Sequence, residues 1–307
     1  MTGPCDLLVI GASGQDGTFA LRSAKDRSMH VVGTSRTSVS GLHKLDPADP
    51  ARVRDMCNAL KPERILLLTG QSSVGRSIEE PASTIHSHID PLLAVLEWMR
   101  GTRHGARLVY AASSEVFGTR SEGNPAHEGT VFAPANPYAV GKAAGVSILQ
   151  EYRRAYGLHA SAAFLFNHES TIRSERFVFG KVLAGIRRLR LDPASGPIEL
   201  GDLSVVRDWG YAPDYAAAML DMLNCDEPGD LVLATGRSVT LGEAVAALLE
   251  TAGLDPDNAT QHSTAGTAPR KLPDAQYADP SRAMARIGWS GSVGFPDLAR
   301  VLVADLH

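Results

Sequence analysis

An apolar run, Asp6–Ile10 (DLLVI), leads straight into Gly11-Ala12-Ser13-Gly14-Gln15-Asp16-Gly17. This junction constrains the fold more than any other feature of the chain. Glycines at i, i+3 and i+6 between a strand and a helix let the backbone turn tightly and approach a pyrophosphate. The helix N-terminus then supplies N–H donors and a partial positive charge. A glycine triplet alone is weak evidence, because any tight turn uses glycine. Its place at the first strand–helix junction favours dinucleotide binding.

The rest of the first half fits such a start. Strand-like runs at His30–Ser35, Ile65–Thr69, Arg107–Ala112 and Ala160–Phe166 alternate with helix-like stretches at Thr18–Ser28, Pro50–Leu60, Thr84–Arg100 and Tyr138–Tyr156. In Pro50–Leu60, Val53, Met56, Cys57 and Leu60 fall on one helix face. Near-continuous apolar strands between helices predict a parallel sheet covered on both faces, a doubly wound Rossmann-type α/β fold. After residue 167 the pattern changes. A basic amphipathic helix is predicted over Arg176–Arg190 and a strand over Leu231–Thr235. Thr240 and Glu243 have capping-box spacing. A helix over Ser281–Ile287 stops at Gly288, and another starts at Pro296. The stretch Asn258–Lys271 reads as a surface loop that can cover a ligand. We therefore expect a cofactor domain over 1–167, to which parts of the later chain return, and a smaller substrate-binding α/β lobe over 168–307.

A net charge of -4 gives no reason to expect nucleic acid as a partner. No apolar stretch is long enough to span a bilayer. The first ten residues carry no basic export region, and the three cysteines, Cys5, Cys57 and Cys225, are far apart. These features predict a cytoplasmic protein without a disulfide framework or zinc cluster. His86 and His88 diverge on a helix, so no metal site is expected.

The end of the second strand bears on the cofactor. It reads Thr34-Ser35-Arg36-Thr37-Ser38, with no acid to hold a ribose 2′-hydroxyl. A guanidinium and hydroxyls suit a 2′-phosphate, so NADP is expected. Tyr138-Ala139-Val140-Gly141-Lys142 sets a phenol and an ammonium one helical turn apart. A Lys ammonium together with a nicotinamide's positive charge lowers a phenol's pKa enough for it to act as a general base. Ser113-Ser114-Glu115 follows the fourth strand, where a loop meets the same pocket, and brings a hydroxyl and a carboxylate.

With these residues in view, the chain resembles the extended short-chain dehydrogenase/reductase family. More narrowly it is similar to the GDP-mannose 4,6-dehydratases. The resemblance rests on Gly14–Gly17 (GQDG), Gln71–Val74 (QSSV), Ser114–Gly118 (SEVFG), Pro137–Val140 (PYAV), Phe166–Ser170 (FNHES) and Arg207–Tyr215 (RDWGYAPDY), in order along almost the whole chain. It implies a redox-neutral elimination on a nucleotide-diphosphate sugar, GDP-mannose first: oxidation at C4, loss of water across C5–C6 and reduction at C6. Tyr138 would take the 4-hydroxyl proton, Ser113 would bond the 4-oxygen, and Glu115 would act at C5 and C6. Lys142 would hold the nicotinamide ribose and tune Tyr138. Gly11, Ser13, Gly14, Gln15, Asp16, Gly17, Arg36, Ser38 and Asp46, with Tyr138 and Lys142, make the cofactor set. Ser72, Ser114, Asn167 and Glu169 would contact substrate, with Lys181, Arg207 and Arg270 near its diphosphate.

The chain departs from that pattern in four places. The segment Ser38–Asp46 is short where the family has an insertion reaching a neighbouring subunit, so a homodimer is expected rather than a tetramer. Ser73 stands where the family has His, and His86 and His88 where it has acids. Arg270-Lys271-Leu272-Pro273 keeps an Arg and lacks the family's Glu, and Ala135-Asn136 replaces Arg-Ser. A 4-keto-sugar reductase, a 4-epimerase or a dehydratase of altered regiochemistry or substrate is the rival on the same scaffold. The first two need Tyr138 and Lys142 but no base at C5, so Glu115 discriminates. A non-catalytic NADP-binding regulator would have been free to lose the catalytic set.

Overall fold

The computed structural model describes residues 3–262, 274–291 and 293–306. The first half runs β1 (Leu7–Ile10), α1 (Gln15–Asp26), β2 (Val31–Ser35), β3 (His43–Lys44), α2 (Pro50–Leu60) and β4 (Arg64–Leu67). It continues through α3 (Val74–Glu79), α4 (Pro81–Thr102), β5 (Arg107–Ala111), a 3₁₀ turn (Ser114–Phe117), α5 (Pro137–Tyr156) and β6 (Ala160–Leu165). Then come β7 (Asn167–Glu169), α6 (Val178–Leu191), β8 (Ile198–Leu200), β9 (Val206–Tyr211), α7 (Ala212–Met222) and β10 (Leu231–Leu233). The chain closes with β11 (Ser238–Thr240), α8 (Leu241–Thr251), α9 (Pro256–Ala259), β12 (Thr260–His262), α10 (Ser281–Ile287) and α11 (Asp297–Ala304).

Seven parallel strands form the main sheet in the order β10-β6-β5-β4-β1-β2-β3. Apart from the exposed two-residue edge strand β3, the strands are almost wholly buried, as their apolar character requires when helices cover both faces. Strand order reverses between β1 and β4. A crevice therefore opens beyond their carboxyl ends, where an open α/β sheet binds its ligand. One face packs on α2, α4 and α5 through Val53, Leu92, Val95, Val146 and Leu149. The other packs on α1 and α7 through Ala20, Ala24, Tyr215 and Met219.

The helix over Pro50–Leu60 has the bounds expected from its periodicity, with an Asp49 cap and all four expected face residues buried. The capping box at Thr240 and Glu243 is formed, and Gly288 ends α10 in the left-handed region. α1 starts three residues before Thr18, because Gly14 is its N-cap. The stretch from Asn258 departs from the expected loop: it completes α9 and pairs as β12 with β8. Its remainder, 263–271, lies outside the described residues.

Parts of the second half pack with the first. β10 rejoins the main sheet beside β6, and α7 packs on α1's face of it. The lobe proper has its own core of Phe179, Leu183, Ile186, Trp209, Leu248 and Leu302. It carries a three-stranded sheet, β11-β9-β7, and the β12-β8 pair.

Candidate active site

The glycine turn has two tasks. Gly11 sits at φ +97°, and a Cβ there would lie 2.9 Å from the Leu68 carbonyl oxygen. At Gly17 a Cβ would lie 2.5 Å from Ala12 Cα, so only glycine lets α1 pack this close to the turn. Gly14 is different: a Cβ would meet nothing nearer than 3.7 Å, and no side chain caps the helix it begins. The first-turn N–H groups of α1 therefore remain available beside a cavity of about 410 Å³. Gly11, Ser13, Gly14, Arg36 and Asp46 all line it. An uncapped helix start beside bare glycine backbone is the donor set a pyrophosphate requires. Arg36 is exposed at this cavity, whereas Arg76, which also lines it, is held by three hydrogen bonds to Glu80. Ser38 is exposed and does not line the cavity.

Gln15 and Asp16 serve another purpose with their side chains. Gln15 donates to the His168 carbonyl at 3.0 Å and accepts from the Ser170 hydroxyl at 2.7 Å. Asp16 pairs with His168 Nε2 at 2.9 Å. Thus the GQDG and NHES blocks, about 150 residues apart in sequence, dock on each other. Burial alone would raise the Asp16 carboxyl, but the His168 charge and hydrogen bond prevail and hold it down at about 2. His168, in turn, is pushed down by burial and more than restored by Asp16, so its pKa is raised.

A second cavity of about 400 Å³ shares Leu68, Thr69 and Gly70 with the first. Its wall brings together Ser72, Ser113, Ser114, Glu115, Tyr138, Lys142 and Asn167. Ser113 accepts from the Glu115 N–H and shares a hydrogen bond with Tyr138. The Lys142 ammonium is buried, donates to the Ala111 carbonyl at 2.6 Å and lies 4.8 Å from the Tyr110 ring centre. Burial pushes Lys142 down to about 7 and Tyr138 up to about 12, the Ser113 bond offsetting part of the latter. The protein alone leaves the phenol raised, as an expectation that counted on the nicotinamide's charge allows. Lys142 is committed to a backbone oxygen, and lowering Tyr138 requires a further positive charge in the cavity.

Glu115 is held from three sides. Gln276 Nε2 donates to it at 3.0 Å, Asn136 Nδ2 at 3.2 Å, and the Arg207 guanidinium lies at 3.7 Å. Arg207 is buried and pairs with Asp274 at 2.9 Å, so it bridges two carboxylates. Its neighbour Asp208 braces the turn after β10, accepting from the Thr235 and Arg237 N–H groups.

Some expected contacts are not brought to this wall. Glu169 is buried against Arg173 at 3.3 Å and does not line the cavity. Burial raises its pKa. Lys181 lines a separate cleft with Glu175, Arg188 and Glu199. Arg270 lies outside the described residues. Conversely, Arg173, Arg176 and His88 line the cavity without having been expected there. His88 lies edge-on to Tyr138 at 5.3 Å, and its ring occupies the space a Cβ on Gly70 would take. Burial, with Lys142 second, pushes it down to about 2, so it is neutral. His86 faces Asp90 on the surface, and no metal-holding group of acids, His and Cys occurs among the described residues. Of the side chains around Glu115, the sequence singled out Arg207 and, as a departure from the family pattern beside Tyr138, Asn136.

A family model described as GDP-mannose 4,6 dehydratase matches residues 8–302. The chain belongs to this family. A GDP-mannose 4,6 dehydratase 1 of Arabidopsis thaliana is 32 % identical, over 97 % of this chain and 88 % of that protein. A GDP-mannose 4,6-dehydratase of Sinorhizobium fredii is 31 % identical, over 97 % and 95 %. Among solved structures, a Thermus thermophilus UDP-glucose 4-epimerase complex with NAD superposes with a TM-score of 0.84, at 26 % identity and 98 % coverage of both chains. A dTDP-glucose 4,6-dehydratase from Bacillus anthracis reaches 0.82 at 16 % identity, covering 99 % and 96 %, and shares the fold. Membership of the GDP-mannose 4,6-dehydratase family accounts for the order of motifs, and the Rossmann-type sheet is the one these neighbours share.

Proposed function

We propose that the protein is an NADP-dependent nucleotide-sugar 4,6-dehydratase, a lyase, with GDP-mannose as its first candidate substrate. One observation carries the reading: Glu115 and Tyr138 face a single cavity, tied together through Ser113, next to the uncapped start of α1. A reductase or epimerase needs only the phenol. A carboxylate held beside it is what a C5 proton transfer requires.

The nicotinamide group, when bound, would accept a hydride from C4 and later return it to C6, and its positive ring would supply the charge that lowers a neighbouring phenol. Tyr138 Oη removes the proton of the sugar 4-hydroxyl, and Ser113 Oγ holds that oxygen. Lys142 keeps the cofactor ribose in place beside Tyr138. Glu115 takes the C5 proton, made acidic by the 4-keto group, and delivers a proton to the departing C6 oxygen. Ser72, Ser114 and Asn167 orient the sugar, and Arg207 meets the diphosphate. Arg36, with no acid at the end of β2, supports NADP over the NAD found with the Thermus thermophilus epimerase. The remaining cofactor contacts come from Gly11, Ser13, Gly14 and Asp46. Residues 1–167 carry the cofactor, and 168–307 mainly the sugar nucleotide. We further propose a homodimer through α4 and α5. The three free cysteines support a reducing cytoplasm.

Product mass tests this. Incubated with NADP+ and GDP-mannose, the protein should yield a product lighter by one water, with no net NADPH. An unchanged mass with a new retention time would make it an epimerase. A product heavier by two hydrogens, formed only from a keto-sugar with NADPH, would make it a reductase.

A further inference from the structure

Glu115 must be charged, then neutral, then charged again within one elimination. Its carboxylate takes the C5 proton, and the C–H electron pair becomes the C5–C6 double bond. The C6–O bond breaks, and the oxygen leaves with that proton as water. This cycle changes what the carboxyl can bond. An ionised carboxylate only accepts, whereas its protonated form also donates. A fixed N–H partner that suits the first form faces an O–H in the second, donor against donor.

Asn136 cannot adapt to this. Its Oδ1 accepts from the Ala139 N–H at 2.9 Å as the cap of α5, which fixes Nδ2 toward Glu115. Gln276 can. Its Nε2 donates to Glu115 at 3.0 Å and its Oε1 accepts from the Ser114 hydroxyl at 2.7 Å. A hydroxyl both donates and accepts by turning about its C–O bond. If the Gln276 amide turns end for end, Oε1 accepts from protonated Glu115 and Nε2 donates to Ser114. Both ends of the amide stay bonded. Both side chains are buried, Gln276 at 3 % and Ser114 at 2 % exposed, so water is not at hand to replace a lost bond. The backbone of Gln276 is anchored while the amide turns. Its N–H donates to the Val206 carbonyl at 3.1 Å, and its carbonyl accepts from the Ser238 hydroxyl at 2.8 Å.

We infer that Gln276 is a positioning residue for Glu115, an amide that reverses with the carboxyl's protonation state, using Ser114 as its swivel partner. The inference rests on the dehydratase reading given above. It also assigns a task to the segment after residue 273, which brings Gln276 from the far end of the chain to the catalytic turn.

The test uses Gln276→Met, similar in length but unable to make either bond, and Ser114→Ala, which removes the swivel. Each is assayed with GDP-mannose carrying deuterium at C4 or at C5. Both variants should lose ~10- to 100-fold in kcat, the range expected for a lost buried hydrogen bond to a charged group, with KM changed less than about 2-fold in Gln276→Met. The C5 isotope effect on kcat should rise and the C4 effect fall, because proton transfer at C5 becomes the slow step. Ser114→Ala carries the test if Gln276→Met does not fold. A wild-type kcat in a folded variant, or a loss with both isotope effects unchanged, overturns the inference alone. Wild-type protein that does not dehydrate GDP-mannose overturns the reading on which it rests.

Discussion

Replacing Asp16 by Asn should separate the two halves of the site energetically, and the structure sets the size of the effect. The Asp16 carboxyl falls from an ordinary 3.8 to about 2, against burial, because of His168. That difference corresponds to about 2 kcal/mol of folding stability. The side chain is only 24 % exposed, so little of this is lost to solvent screening. The sign follows from both partners. Asp16, depressed in the folded state, contributes fully above 3.8 and loses its contribution as pH falls through about 2. His168, raised above 6.5, contributes fully below that value and loses its contribution as pH rises through its folded pKa. The pair is therefore strongest between about pH 4 and 6.5. Urea unfolding followed by tryptophan fluorescence, on wild type and Asp16→Asn, should give a gap of about 2 kcal/mol near pH 5.5, and a smaller one near pH 9. A gap of the same size at both pH values would show that the two side chains do not meet as an ion pair, and would refute the argument.

Other substitutions probe the remaining parts of the site. Glu115→Gln should cut dehydration by ~100- to 10,000-fold while transient cofactor reduction, followed by absorbance, persists. Retained dehydration would remove Glu115 from the mechanism. Arg36→Asp should weaken NADP binding by roughly 10- to 100-fold and favour NAD, read by titration calorimetry, because a charge-assisted contact to the 2′-phosphate becomes a repulsion. Gly17→Ala should cost about 1–3 kcal/mol in thermal unfolding, since its Cβ would lie 2.6 Å from the Gly11 carbonyl. Asn136→Ser should keep the α5 cap, and so the melting temperature, yet lower kcat. Asn136→Ala should also lose about 1 kcal/mol of stability.

Local signals were sufficient where one segment determines its own shape. The apolar strands, the single-faced helix Pro50–Leu60, the capping box at Thr240 and the stop at Gly288 each follow from neighbouring residues, and each lies where the sequence puts it. The glycine spacing marked the strand–helix turn in the same way, because the positive φ at Gly11 and the close approach at Gly17 are demands of the backbone itself.

Side-chain pairings between distant segments were decided by the tertiary structure alone. Nothing local says that Gln15 and Asp16 face His168 and Ser170, so they read as cofactor contacts. Nothing local says that Glu169 is buried, or that Lys181 shares a cleft with Glu199. Gln276 has no motif at all. It matters only because the segment joined to β9 by the Val206 bonds carries its amide into reach of Glu115. Residue types and spacing determined the fold class and the chemical groups available. Which of those groups meet, and which are occupied by one another, depends on contacts across more than a hundred residues, which only the folded chain brings together.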